Sequence, residues 1–137
     1  MREILMAGKS LVGGTLAGSV IKLPEPRKDS KTSVESAFCR RRSVREFGKT
    51  DLSLAEVSEL LWAAQGITDP EGKRTAPSAG ALYPLGVFLV AGSQDELPAG
   101  LYRYRAQTHD LVSVAQGDKR AQLAAVALEQ DWLKDAR

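Results

Sequence analysis

At 137 residues, 43% hydrophobic and 26% charged, the chain has the size and composition of one globular domain, which excludes a disordered, collagenous or fibrous protein. Its net charge of +2 hides an uneven distribution: residues 1–50 hold 11 Lys and Arg against 5 Asp and Glu, while residues 51–137 hold 8 against 12. Basic charge gathered on one segment favours a local anionic ligand over nucleic acid, which needs basic residues spread across a face. Cys39 is the only cysteine and His109 the only histidine, so an intrachain disulfide and a cysteine metal cluster are excluded, and neither a zinc site nor a histidine-dependent triad is expected.

In chain order, the first feature is a weakly apolar run from Leu11 to Ile21 behind Arg2 and Lys9. It is too short to span a membrane. Its Gly, Ser and Thr content makes a poor signal core, so it reads as a flexible leader, with a degenerate signal segment as the alternative. Leu23-Pro24-Glu25-Pro26 reads as an extended connector. Leader and connector occupy residues 1–30, and a domain follows over residues 31–137. No membrane partner is expected, and the expected compartment is the cytoplasm.

Thr32 and Glu35 have capping-box spacing, and Val34, Ala37, Phe38 and Arg41 then fall on one helical face. On that helix Cys39 reads as packing rather than as a reactive thiol. Cys39-Arg40-Arg41-Arg42-Ser43-Val44-Arg45-Glu46-Phe47 follows, with four guanidinium groups and a hydroxyl in six consecutive positions. Arg forks match phosphate oxygens bidentately, and a neighbouring Ser adds a small donor. Taken alone, the run reads as a solvated face or a nucleic-acid patch before it reads as a defined anion pocket. Nucleic-acid binding is disfavoured because no aromatic residues interleave with the basic ones.

Ser53 and Glu56 form a second capping box, Val57, Leu60, Leu61 and Ala64 recur at helical spacing, and Gly66 supplies a stop. Thr68-Asp69-Pro70-Glu71-Gly72-Lys73 is a turn or loop. Small residues then dominate 75–81 between Pro77 and Pro84, which lets the backbone approach a flat ligand closely or pack as a tight loop beneath a strand. In the first case, the amides of Ser78 to Ala81 are candidate donors to ring heteroatoms. Residues 87–91 are a continuous apolar run, predicting a buried central strand. Alternation at 101–104 and 111–114 predicts a hairpin, with His109 in its exposed turn. Asp118 is placed as the cap of a last helix through Ala121, Leu123, Ala124, Ala127 and Leu128. The order predicts an α+β architecture. A buried strand at 87–91 needs neighbours on both edges, and the hairpin supplies only some of them.

Three blocks together resemble the FMN-dependent nitroreductase superfamily: Arg41-Arg42-Ser43-Val44-Arg45-Glu46-Phe47, Leu60-Leu61-Trp62-Ala63-Ala64-Gln65-Gly66-Ile67-Thr68, and Arg74-Thr75-Ala76-Pro77-Ser78-Ala79-Gly80-Ala81-Leu82-Tyr83-Pro84. With Gly100-Leu101-Tyr102-Arg103-Tyr104 and Gly117-Asp118, they are most similar to its SagB-type branch, the dehydrogenases of thiazole/oxazole-modified peptide synthesis. The resemblance covers about residues 23–136 and implies helices packed on a mostly antiparallel central sheet.

The resemblance also implies roles. Arg41 and Ser43 would hold phosphate and ribityl oxygens of FMN, with Arg42 alongside, and Arg45 would reach the N1/O2 side of the flavin. A cation there stabilises the anionic reduced ring. Pro77, Ser78, Ala79, Gly80 and Leu82 would line the isoalloxazine across the interface of an intertwined homodimer. The implied activity is hydride transfer between FMN and either NAD(P)H or a small-molecule or peptide substrate. No general acid or base is assigned. Two departures accompany this reading. Gly86 stands where the branch often has an acidic residue, and family members continue well past the position of Arg137. The chain therefore resembles the N-terminal portion of such an enzyme. The alternative is a truncated, non-catalytic dimerisation or binding module that has lost FMN.

Overall fold

The computed structural model describes residues 18–92 and 96–136. Four strands, β1 (Val20–Lys22), β2 (Phe88–Ala91), β3 (Gly100–Arg105) and β4 (Asp110–Gln116), form one antiparallel sheet in the order β1-β4-β3-β2. Three helices accompany it: α1 (Val34–Arg40), α2 (Leu54–Gln65) and α3 (Arg120–Val126), with short 3₁₀ turns at Ala79–Ala81 and Asp131–Asp135. The architecture is α+β, as the element order predicts.

The β3–β4 hairpin organises the sheet. Tyr104 faces Leu111 and Arg105 faces Asp110, and a register shift falls between Leu101 and Tyr102. Alternation along β3 sends Tyr102 and Tyr104 into the core and Arg103 and Arg105 to the opposite face. Against the core face lies α2, whose Val57 and Leu61, one helical turn apart, pack with Leu23, Ala91, Leu97, Tyr102, Tyr104 and Leu111. Burying each of those two helix side chains contributes about 1.5–3 kcal/mol. The predicted capping box at the start of α2 is present: the Ser53 N–H donates to Glu56 Oε2 at 2.8 Å, and the Glu56 N–H donates to Ser53 Oγ at 3.3 Å.

Several elements depart from the sequence reading. Residues 20–22, read as the end of a leader, are the edge strand β1, with Val20 opposite Val112 and Lys22 opposite Asp110. Three residues are too few for a periodic signal, and Leu23 behind them is buried. The apolar run at 87–91 forms β2 at the opposite edge of the sheet, not its centre, with Phe88 46% exposed. A continuous apolar run reports that a strand needs cover, not where it stands in the strand order.

Helix α1 begins from Ser33, not Thr32, and none of its side chains is buried. Cys39 is accordingly exposed and not packed. Asp118 does not cap α3, whose N-cap is Lys119. Its carboxylate instead accepts from the backbone N–H and guanidinium of Arg120 at 2.7–3.1 Å. His109 is half-buried, not a free turn residue. Its Nε2 lies 2.7 Å from Ser58 Oγ and 3.0 Å from the Pro24 carbonyl, and its Nδ1 lies 2.9 Å from the Tyr104 hydroxyl.

Candidate functional site

The basic segment leaves α1 as exposed extended chain. Arg41 is the C-cap residue, with φ −58° and ψ 127°, and its N–H closes the helix on the Ala37 carbonyl. Arg42 Nη1 donates to the carbonyls of Cys39 and Arg41 at 3.0 and 2.8 Å, so part of that guanidinium holds the helix end. Arg45 sits over the Trp132 ring at 5.9 Å, and Phe47 meets the same ring at 6.1 Å between centroids. Among the described residues, no ion pair engages Arg41, Arg42 or Arg45, and no hydrogen bond engages the Ser43 hydroxyl. The Arg41 guanidinium, the rest of the Arg42 fork, the Arg45 charge and the Ser43 hydroxyl therefore have no counter-ion among the described residues. Beside them, Arg45, Lys49, Arg120 and Lys134, with Glu46 and Asp135 among them, line a cavity of about 440 Å³, and Arg120 and Lys134 are already paired with Asp118 and Asp131.

The second segment is a tight turn with an unusual backbone. Gly80 has φ +61°, Ala81 +53° and Tyr83 +43°, so two non-glycine residues occupy the left-handed region. The Ala81 N–H bonds back to Ser78 O at 3.0 Å, and the Tyr83 N–H donates to Ser78 Oγ at 2.9 Å. The Ala81 amide, one of the candidate ring donors, is thus spent inside the turn. Those of Ser78, Ala79 and Gly80 enter no loop or turn bond among the described residues. Pro77, Ala79, Gly80 and Leu82 are exposed, Leu82 at 80%, and Ser78 is half-buried. Stacking on a flat, partly apolar ligand would cover this surface.

The turn is tied to the end of α2. The Thr75 N–H donates to Gly66 O at 2.9 Å and Thr75 Oγ1 to Trp62 O at 3.1 Å. The Arg74 guanidinium lies 4.6 Å from the Tyr83 ring centre, and its Nη1 donates to Gln65 Oε1 at 3.1 Å. Sequence reasoning did not single out Arg74 as a site residue, although an arginine heading a run of small residues was a usable signal. No hydrogen bond or ring contact among the described residues joins residues 41–47 to residues 77–82; Arg45 and Phe47 turn to Trp132 instead.

A four-stranded antiparallel sheet backed by one core helix, with an exposed Arg-Ser segment and a strained small-residue turn, defines the class. The chain matches the nitroreductase family over residues 39–137 and belongs to that family, whose members normally bind FMN. A protein of Methanocaldococcus jannaschii named as a nitroreductase is 36% identical over 113 residues, covering 82% of this chain and 56% of its own length. The trifolitoxin operon protein TfxC of Rhizobium leguminosarum bv. trifolii is 29% identical over 129 residues, covering 82% of this chain and 36% of its own.

Among solved structures, one named as a nitroreductase from Ralstonia eutropha matches with a TM-score of 0.66 and 39% identity, over 80% of this chain and 49% of that one. Another, from Anabaena variabilis, matches with a TM-score of 0.61 and 25% identity, over 91% and 24%. The chain thus spans about half the length of the first of these relatives, and less of the others. Among the described residues, no helix is long and apolar enough to cross a membrane, and no group of three or more His, Cys, Asp or Glu side chains could hold a metal ion.

Proposed function

We propose that this chain contributes to an FMN-dependent oxidoreductase of the nitroreductase type, in the SagB-type branch, with residues 31–137 forming the N-terminal portion of the FMN-binding domain. The observation that carries the reading is the family match, which runs through both candidate segments. The donor set fits the cofactor. Arg41 and Ser43 would hold phosphate and ribityl oxygens, Arg42 would add charge beside them, and Arg45 would hold the N1/O2 edge. Pro77, Ser78, Ala79, Gly80 and Leu82 would press an apolar, largely backbone surface against the ring and exclude water from it. Bound FMN would supply hydride transfer between NAD(P)H, or a small-molecule or peptide substrate, and the flavin.

Purified chain mixed with FMN is expected to show bound-flavin absorbance and a rise in melting temperature. Ligand at a hundred times its Kd adds about 2.7 kcal/mol to stability. Neither signal at saturating FMN would sink the proposal. A homodimer belongs to the same reading. Phe38, Leu82 and Leu85 are 74%, 80% and 73% exposed, and a partner subunit would cover such side chains. The second reading, a non-catalytic dimerisation module, draws support from the lack, among the described residues, of any hydrogen bond or ring contact between the two segments. A dimeric mass in size-exclusion measurements that is indifferent to FMN, with no flavin bound, is its expected signature.

A further inference from the structure

The geometry points to a carboxylate-binding pocket built on Arg74, where the end of α2 and the segment leading into β2 meet the end of β3. The Arg74 guanidinium is held flat, 4.6 Å from the Tyr83 ring centre, and its Nη1 is committed to Gln65 Oε1 at 3.1 Å. What remains is the edge formed by Nε and Nη2. Among the described residues Nε is buried without any hydrogen-bond partner. A buried donor of that kind is rare in native proteins unless something outside the chain satisfies it. The Nε–Nη2 edge is a two-pronged fork that matches a carboxylate side-on. This molecule uses the same fork elsewhere: Arg105 Nε and Nη2 grip the two oxygens of Asp110 at 2.6 and 2.7 Å.

The surroundings specify the ligand further. Arg74 lines a cavity of about 330 Å³ together with Arg103, which projects from β3 and has no ion pair among the described residues. Arg105 also lines it, but Asp110 already neutralises that charge. No Asp or Glu contributes to the wall, so two cations face the cavity without a counter-charge. Pro84, Leu85 and Val87 supply apolar wall. The volume lies at the lower end of small-molecule sites. Two uncompensated cations, one with a preset planar fork, beside apolar wall suit a carboxylate carried on an apolar body. A free organic acid could supply it, and so could a carboxylate side chain from a second copy of this chain. The pocket shares none of the residues assigned to FMN, so it stands or falls separately from the flavin reading.

The test is a titration of the full chain, ¹⁵N-labelled and without flavin, with benzoate, followed at the arginine Nε–H resonances. Benzoate is expected to shift the Arg74 Nε–H signal saturably, while benzamide, its neutral counterpart, leaves it in place. Arg74→Lys keeps the charge but loses the fork and, followed by titration calorimetry because its Nε–H is gone, is expected to weaken benzoate about tenfold, since one lost charge-assisted bond is worth about that factor. Arg103→Glu, on an exposed strand face where folding is not at stake, is expected to weaken it severalfold. An Arg74 Nε–H signal that moves with protein concentration before any benzoate is added, together with a concentration-dependent mass in sedimentation that Arg74→Lys abolishes, assigns the carboxylate to a second copy. The proposal is overturned if benzoate gives no saturable shift and protein concentration none either. It is equally overturned if benzamide or inorganic phosphate matches benzoate, or if Arg103→Glu binds benzoate as tightly as the parent chain.

Discussion

Ser58 shows how much a single buried hydroxyl can organise. It lies on the core side of α2 with no exposed surface, and its Oγ donates to the Pro24 carbonyl at 2.5 Å. With that proton committed, the 2.7 Å contact to His109 Nε2 places the imidazole N–H as donor, and Nδ1 then accepts from the Tyr104 hydroxyl. Three elements distant in sequence meet there: the chain after β1, the middle of α2, and the hairpin turn. Ser58→Ala removes one bond from Pro24 and one from His109 inside a low-dielectric core, and is expected to cost about 1–2 kcal/mol in denaturant unfolding. An unchanged midpoint would show that the network is incidental. A second residue-scale case is Asp110, 2% exposed and gripped side-on by Arg105. Arg105→Ala strands a buried carboxylate, whereas Asp110→Asn leaves a guanidinium that is already half in water. Arg105→Ala is therefore expected to lower the melting temperature more than Asp110→Asn, and the reverse order would contradict this account.

At the level of elements, α2 was legible in the sequence almost residue for residue, because caps and a 3.6-residue apolar period are local signals. The role of Gly66 was not. It was read as a stop of the usual glycine kind, yet its φ is −65°, which any residue adopts. What requires glycine is space: a Cβ there would lie 2.1 Å from Trp62 Cδ1. Gly66→Ala is expected to destabilise by about 1–3 kcal/mol through overpacking. The same substitution in a Trp62→Ala background is expected to cost nearly nothing, a coupling that a thermodynamic cycle reads directly. The hairpin and the small-residue turn were equally readable, since their chemistry is local. The edge position of β2, the strand β1 and the burial of His109 were not, because each depends on how distant segments assemble: which strands flank β3, the pairing of β1 with β4, and the contacts of His109 with Pro24 and Ser58. For the candidate site, the residue types of both segments could be read, and so could the family they resemble. The association of Arg45 with Trp132 could not, since no pattern within residues 41–47 refers to a ring beyond α3.

Over the whole molecule, the charged groups set limits on the pH range of stability. Asp110 and Asp118 lie below the ordinary carboxylate range, chiefly through side-chain hydrogen bonds from Arg105 and Arg120. Glu59 is lowered first by Arg27, Glu56 by the backbone N–H of Ser53, and Asp69 by that of Lys73. All five are stronger acids folded than unfolded. As pH falls, the unfolded chain binds protons first, so their stabilisation is full above the unfolded values of about 3.9 and 4.3 and is lost progressively below them. On the alkaline side, burial raises Tyr102 and Tyr104. There the unfolded chain loses its protons first, and stability declines as pH rises past about 10. The melting temperature is therefore expected to be flat between about pH 6 and 8, to fall below about pH 4, and to fall again above about pH 10. Asp110→Asn is expected to flatten the acid limb and to change the alkaline limb only slightly, because burial is the larger cause raising Tyr104 and the Asp110 charge a smaller one. A stability curve with its main loss centred near neutrality, or an acid limb indifferent to Asp110, would show that groups other than these carboxylates control the fold.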